Sequence, residues 1–377
     1  MEIMVLGLVT AMLFGVVSSV MIPVARSVGL TDKPCSRKAH MGEVPLTGGL
    51  SIYITVFIVW CFGVAFSGVL LATMLATSII VATGIIDDRF DLPVLTRIVV
   101  QIIASGILVV GAGVEINSLG NLLNLGEVEL GVFSVPFTIF AIMVAMNAYN
   151  MIDGIDGLLG SIALVTFGGI AVLSVIYGHP EALFFSLVAV FALIPFLYRN
   201  LQKTGSRVDQ IFMGDAGSMF IGLLSIWLIA IMLSPEMSKE YVLKFGNMFT
   251  ISDTREPIRA VTALWLVTIP IMDMVGIMVR RMMKGQSPLR PDRNHLHHIF
   301  MRAGFSPREA LVIIFASACF WAAVGILLEY FKVADVVILL IYLSVFVLYL
   351  FCLKFSWRLV VWFRRWMQIE KKLKHRE

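Results

Sequence analysis

Charge is scarce in this chain. Only 14% of its 377 residues are charged, 59% are hydrophobic, and the mean hydropathy is +0.92. A soluble domain carries roughly a quarter charged residues and about half apolar ones. The shortage excludes an ordinary soluble protein and leaves the polytopic membrane class. Cysteine is also sparse: Cys35, Cys61, Cys319 and Cys352 show neither metal spacing nor a disulfide framework. Long polar stretches are missing. The segments between apolar runs reach only about 20 to 30 residues, too short for an independent core. The net charge of +4 comes with no basic-aromatic face or nucleic-acid motif, so nucleic acid is not an expected partner. The N-terminal apolar run lacks a basic n-region and a small-residue cleavage site, and it reads as a retained first helix.

What is present is a series of apolar runs long enough to span a bilayer, which takes about 17 to 25 residues each. They fall at 3–24, 46–66, 68–86, 98–114, 136–152, 160–177, 181–198, 216–234, 260–279, 310–330 and 335–353, which predicts an all-α protein with eleven transmembrane helices. With the N-terminus outside, the inner segments hold 24 of the 29 Lys and Arg residues, which places the C-terminus inside. Residues 1–353 form one transmembrane domain. The tail 354–377 is basic and rich in Trp (Trp357, Trp362, Trp366), and reads as an interfacial anchor or a docking surface for an anionic lipid or partner. The outer segment 113–135 alternates apolar residues between glycines, as a small hairpin would.

The acids sort to one side. Asp32, Asp87, Asp88, Asp91, Asp153, Asp156, Asp215 and Asp292 all lie at inner ends of spans, with His40, His295, His297 and His298. A transporter would instead place ionisable groups near mid-membrane on broken helices. In Asp87-Asp88-Arg89-Phe90-Asp91, one further turn of helix would put Asp87 and Asp91 on one face. Like charges that close call for a cation, a proton or a cationic partner; helix-end solvation is the plainer alternative. In Asn147 to Gly157, two amides and two carboxylates recur every three residues and form a polar stripe that two glycines end. Asn150 offers an oxygen ligand, Asp153 and Asp156 offer charge, and Gly154 and Gly157 let a ligand approach the backbone. Asn147 equally suits bonding between helices.

Phe212 to Ser218 places Asp215 at a helix N-terminus among small residues, which suggests the close approach of something large, or simple capping. Hard oxygen ligands favour Mg²⁺, with Mn²⁺ the alternative, held by one or two protein groups and completed by phosphate and water. Arg290 to His298 has three histidines in four residues. Zinc would need a further well-spaced ligand, so with Arg290 and Arg293 alongside the segment favours phosphate and sugar recognition. Lys33, Arg37, Lys38 and His40, followed by Gly48-Gly49, suit an anionic lipid head group or ordinary inside charge. Asp273 lies within a span and is expected to pair with a polar or basic neighbour in the bundle.

These four motifs, in this order, resemble the polyprenyl-phosphate N-acetylhexosamine-1-phosphate transferases, glycosyltransferase family 4. The chain is most similar to the bacterial undecaprenyl-phosphate N-acetylglucosaminyl-1-phosphate transferase branch. The resemblance runs from about Gly29 to Phe305, and the tail fits the same branch. It implies transfer of N-acetylglucosamine 1-phosphate from UDP-N-acetylglucosamine to undecaprenyl phosphate, with release of UMP. It implies that Asp215 and Asn150 hold the metal and that Asp153 and Asp156 contact the nucleotide, Asp156 near the uracil. Asp87 would be the base, with Asp88 supporting it. Arg293, His295, His297 and His298 would meet the sugar phosphate, and Lys33 and Asp91 are further substrate-binding candidates. The peptidoglycan relative has three consecutive histidines where this chain has Leu296, which weighs against a muramyl substrate. A bacterial inner-membrane location, a cytosol-facing site and a homodimer complete the expectation.

Overall fold

A computed structural model describes residues 2–32, 42–202, 206–234, 236, 239–244, 253–287, 295–355, 358, 360 and 361. Lys33, Arg37, Lys38, His40, Arg290, Asp292, Arg293 and nearly all of the tail beyond Phe355 lie outside the described residues.

Each expected apolar segment contains a helix. The helices are α1 (Glu2–Val28), α2 (Gly48–Gly63), α3 (Gly68–Phe90), α4 (Val94–Gly106, extended by a π-turn to Gly111), α5 (Ser134–Ile152), α6 (Leu158–Tyr177), α7 (Pro180–Asn200), α8 (Gly214–Leu233), α9 (Ala260–Leu266), α10 (Thr268–Met282), α11 (Leu296–Ala303), α12 (Pro307–Tyr330) and α13 (Asp335–Lys354). Among the described residues nine helices are individually long and apolar enough to cross a membrane, or ten if α9 and α10 form one span. The 16-residue α2 rises about 24 Å, short of a hydrocarbon core of about 30 Å. Two short strands, β1 (Thr31–Asp32) and β2 (Val44–Pro45), pair antiparallel beside α1. The glycine-rich segment does form a hairpin, with Leu119 N donating to Val128 O (3.0 Å) and Leu130 N to Asn117 O (2.8 Å).

The span expected over 260–279 is broken: α9 and α10 meet at 85°. Pro270 supplies the reason. It has no N–H to offer the carbonyl of Leu266 one turn earlier, and Thr166 Oγ1 of α6 donates to that carbonyl instead, at 3.0 Å. A polar neighbour that satisfies the freed carbonyl is what allows a break inside an apolar bundle.

At the centre is α8, buried along nearly its whole length. Lipid offers helices no hydrophobic reward for associating, so close packing of small residues must hold them. The N-terminal turn of α8 shows this packing. A β-carbon on Gly49 of α2 would lie 2.1 Å from Gly217 Cα, and one on Gly84 of α3 would lie 2.2 Å from Ala216 Cα. The small residues around Asp215 therefore admit neighbouring helix backbone, not a ligand. Gly48 and Gly49 likewise belong to the first turn of α2, where their N–H groups donate to the carbonyls of Phe212 and Met213. The other end of α8 is filled by Trp60, Phe185, Trp227 and Tyr241, with rings 4.8–5.5 Å apart.

Apart from contacts such as Thr166 to Leu266 inside the bundle, further long-range polar contacts gather at its two ends. One end joins Arg26 to Asp209, Asp88 to Asp215 and Gly157 to Asn200. The opposite end joins Ser134 to Glu115, and Arg259 to Glu329, Asp335 and the Val333 carbonyl.

Candidate active site

The site lies at the first of these ends and is assembled from α3, α4, α5, α8 and α11. The last turn of α3 presents Asp87 and Asp88, then stops. Asp91 adopts a left-handed conformation (φ 52°) and its N–H closes on the Asp87 carbonyl at 2.9 Å. Asp91 thus leaves the helical face expected to carry it beside Asp87, and its side chain is exposed.

Asp87 is 5% exposed and both its oxygens are engaged. Oδ1 accepts from Leu92 N (2.7 Å) and Oδ2 from Arg97 Nη1 (2.8 Å). The same Arg97 nitrogen lies 3.8 Å from Asp215 Oδ2. In the sequence Arg97 stands one residue before the apolar run at 98–114 and counts among the inside charges. The helix begins at Val94, directly after Pro93, whose fixed φ suits a helix entry. A guanidinium that two carboxylates neutralise can sit within its first turn.

Asp88 serves a different element. Its Oδ1 accepts from Asp215 N at 2.8 Å and its Oδ2 from Ala216 N at 3.4 Å, so its carboxylate caps α8 from a neighbouring helix. Helix N-terminal N–H groups lack internal partners and carry partial positive charge. Gly214 makes room: its φ is +72°, and a β-carbon there would lie 2.5 Å from Asp88 Oδ2.

Asp215 emerges from this turn, and its Oδ1 accepts from Asn150 Nδ2 of α5 at 2.8 Å. Asn150 also donates to Ser218 Oγ at 3.0 Å. Asn147, one turn earlier, bonds to Gln101 Oε1 of α4 at 2.9 Å and so joins helices. Asp153 ends α5 and is open to solvent. Partial desolvation by the protein on its inner side raises its carboxyl to about 7, and the charges of Asp215 and Asp156 add to that shift. Because solvent reaches the group, the shift bears on what binds there more than on fold stability. Asp156 Oδ2 accepts from Gln210 Nε2 at 3.1 Å, and Gly157 N donates to Asn200 Oδ1 at 2.5 Å. The sequence offers no distinguishing pattern for Gln210, in a short loop, or for Asn200, the last residue of α7, whereas Ser218 closes the Phe212 to Ser218 motif.

The histidine segment joins the same end. The His297 imidazole rests on Gly154, where an added β-carbon would meet Nε2 and Cε1 at 2.2 Å. That glycine accommodates a side chain from α11, not the approaching ligand expected from the sequence. His298 lies with its ring centre 4.2 Å from that of His297. His295 Nδ1 pairs with Asp273 Oδ2 at 2.9 Å, so Asp273 has the polar partner its place in the bundle calls for. Lys33 and Arg293 lie outside the described residues.

His297 is 2% exposed, and burial lowers its pKa to about 3, with His298 and His295 adding to the effect. The proton then prefers the unfolded chain, whose imidazole titrates near 6.5. Stability from this group is complete above pH 6.5 and declines as pH falls toward 3. Melting in detergent from pH 7.5 to 4.5 should show a shallower acid loss for His297→Gln than for wild type. Equal slopes would remove His297 from the account.

Among the described residues no three His, Cys, Asp or Glu side chains are disposed to hold an ion by themselves. Asp215 beside the Asn150 amide supplies hard donors, and a half-turn of that amide exchanges its nitrogen for oxygen. Mg²⁺ usually keeps several waters and binds through one or two carboxylates plus substrate phosphate. The donor set fits an ion of that kind, and among the described residues the histidines do not form a zinc cage.

Residues 70–234, from α3 through α8, match the model of glycosyl transferase family 4. Across more of its length the chain is similar to proteins named undecaprenyl-phosphate alpha-N-acetylglucosaminyl 1-phosphate transferase. The one from Escherichia coli O157:H7 is 38% identical over 345 residues, covering 91% of this chain and 88% of the relative. That of Yersinia pestis is 37% identical over 360 residues (93% and 92%), and that of Haemophilus influenzae 35% over 355 residues (94% and 95%). An alignment at that identity takes in α11 and its histidines as well as the acidic motifs, and on it the chain belongs to glycosyl transferase family 4.

Proposed function

We propose that this chain transfers N-acetylglucosamine 1-phosphate from UDP-N-acetylglucosamine to undecaprenyl phosphate. The products are undecaprenyl-diphosphate-N-acetylglucosamine and UMP, in the first membrane step of a cell-surface polysaccharide of the O-antigen or enterobacterial-common-antigen type. The observation that carries this reading is the junction of Asp88, Asp215 and Asn150 from three helices, with contacts of 2.8 Å, in a chain 38% identical to enzymes so named. The topology that goes with it has eleven crossings, counting α2 and the bent α9–α10 pair. The N-terminus faces outward, and the site faces the cytosol of a bacterial inner membrane, where a nucleotide sugar is available.

In the reaction an oxygen of the lipid phosphate forms a bond to the phosphorus that bears the sugar. The bond from that phosphorus to the bridging oxygen breaks, and UMP leaves with the electron pair. A phosphate monoester has a second pKa near 6, so at pH 8 the acceptor is already a dianion and needs no strong base. Asp87, with both oxygens engaged, holds Arg97 toward Asp215. Asp88 fixes the turn that carries Asp215. By the same reading Asp153 and Asp156 serve the nucleotide, and Arg293, His295, His297 and His298 are assigned to the sugar phosphate, His297 from a buried position against Gly154. Asp215 and Asn150 would hold Mg²⁺, or Mn²⁺ in its place, which neutralises charge building on the diphosphate. Positioning and charge stabilisation then account for most of the acceleration.

The test is UMP release by purified protein with undecaprenyl phosphate and Mg²⁺ across a panel of UDP-sugars. N-acetylglucosamine is expected to lead. Preference for another N-acetylhexosamine would move the chain to a sister activity, and no UMP from any donor would end the proposal.

A further inference from the structure

Asp273 stands apart from the carboxylates already given work. It is 1% exposed, lies on α10 beyond the break, and accepts three hydrogen bonds. Leu296 N and the Tyr349 hydroxyl both donate to Oδ1, each at 2.9 Å, and His295 Nδ1 meets Oδ2 at 2.9 Å. One carboxylate therefore caps the first turn of α11, grips the histidine that opens it, and is itself gripped by α13. Tyr349 is held in turn: its ring packs on Gly276 of α10, where an added β-carbon would lie 2.8 Å from Cε1. With Oδ1 filled by two donors, Oδ2 is left to accept, so Nδ1 of His295 carries the hydrogen. A histidine tied at one ring nitrogen has its orientation and tautomer set there, and presents the other nitrogen in a defined state. The rings of His295 and His297 then lie parallel, 6.0 Å apart and within 4°.

We propose that Asp273 is a positioning residue for donor recognition: it fixes His295 as the Nδ1–H tautomer with Nε2 directed to the sugar phosphate, and Tyr349 ties this register to α13. The C-terminal span thereby contributes to donor choice without touching the donor. The functional half rests on the donor reading above; the tautomer half does not.

Two measurements test it. In ¹⁵N-histidine-labelled protein, His295 Nδ1 should show the signal of a protonated ring nitrogen. Asp273→Asn brings an amide N–H that can donate to Nδ1, which moves the ring hydrogen to Nε2, so the pattern should invert. A hydrogen-free Nδ1 in the wild type, or an unchanged pattern in Asp273→Asn, overturns the proposal. In UMP-release kinetics Asp273→Asn should lower kcat/KM for the nucleotide sugar by about 100-fold or more, as asparagine does behind other working histidines. Tyr349→Phe keeps the ring and drops one bond, so it should fold normally and cost about 5-fold; it carries the test if Asp273→Asn does not fold. In a His295→Gln background both changes should have little further effect, and losses that multiply independently would overturn the proposal. A wild type that releases no UMP from any donor would sink the functional reading and leave the tautomer result to stand.

Discussion

Asp215→Ala is expected to lose about 10³-fold or more in kcat, on the order of what loss of one preorganised charge-stabilising group costs at an active site. Asp87→Asn at pH 8 should lose distinctly less. The structure explains why the two differ. Asp215 is the carboxylate to which three separate elements are fitted: Asn150 donates to it, Arg97 approaches it, and Asp88 holds its backbone N–H. Removing its oxygens deletes the group proposed to hold the ion and leaves the Asn150 amide one acceptor short. In Asp87→Asn the new amide oxygen would still accept from Leu92 N or meet Arg97, so the position loses charge but keeps its shape. If Asp87 were instead the essential base, Asp87→Asn would be the more damaging change and a higher pH would not rescue it. Steady-state UMP release by the two variants at pH 6.5 and pH 8 decides between these outcomes. A larger loss for Asp87→Asn at pH 8 would refute the assignment.

What the sequence disclosed depended on whether the signal was local. A polar or acidic group at either end of a long apolar run is conspicuous in one dimension, so Asp87, Asp88, Asn150 and Asp215 could be grouped before their distances were known. Asp88 was legible as a site acid but not as the cap of α8, because its partners, Asp215 N and Ala216 N, lie 127 and 128 residues away. Arg97 escaped because a cation beside a span boundary looks like any inside charge until Asp87 is seen against it. The bend at Val267 was signalled by Pro270, but a proline in an apolar run does not by itself separate a kink from a break. The carbonyl it frees had to find Thr166, and that contact is tertiary. Glycines were the least legible. Gly154 and Gly217 looked like room for a ligand, and they turned out to be room for His297 and for Gly49.

That misreading leads to the second large expected effect. Gly49→Ala should cut UMP release by about 100-fold or more, although Gly49 touches no proposed substrate group. The added β-carbon would stand 2.1 Å from Gly217 Cα, 2.2 Å from Gly217 N and 2.8 Å from the Met213 carbonyl. These are backbone atoms, so no flexible side chain can swing aside, and the first turn of α8 must shift. Asp215 rides on that turn, held to Asn150 and Asp88 by contacts of 2.8 Å. A displacement of about 1 Å in a positioned group is enough for a loss of that size. Overpacking at such a contact costs about 1 to 3 kcal/mol of stability, so the variant should fold but melt earlier. Gly168→Ala is the matched comparison: it lies within α6 with nothing within 4 Å of the new methyl, and alanine is the better helix former. That variant should retain turnover and melt no earlier than wild type. If Gly49→Ala releases UMP at the wild-type rate, the close approach of α2 to α8 does not set the position of Asp215, and the packing account of this site is wrong.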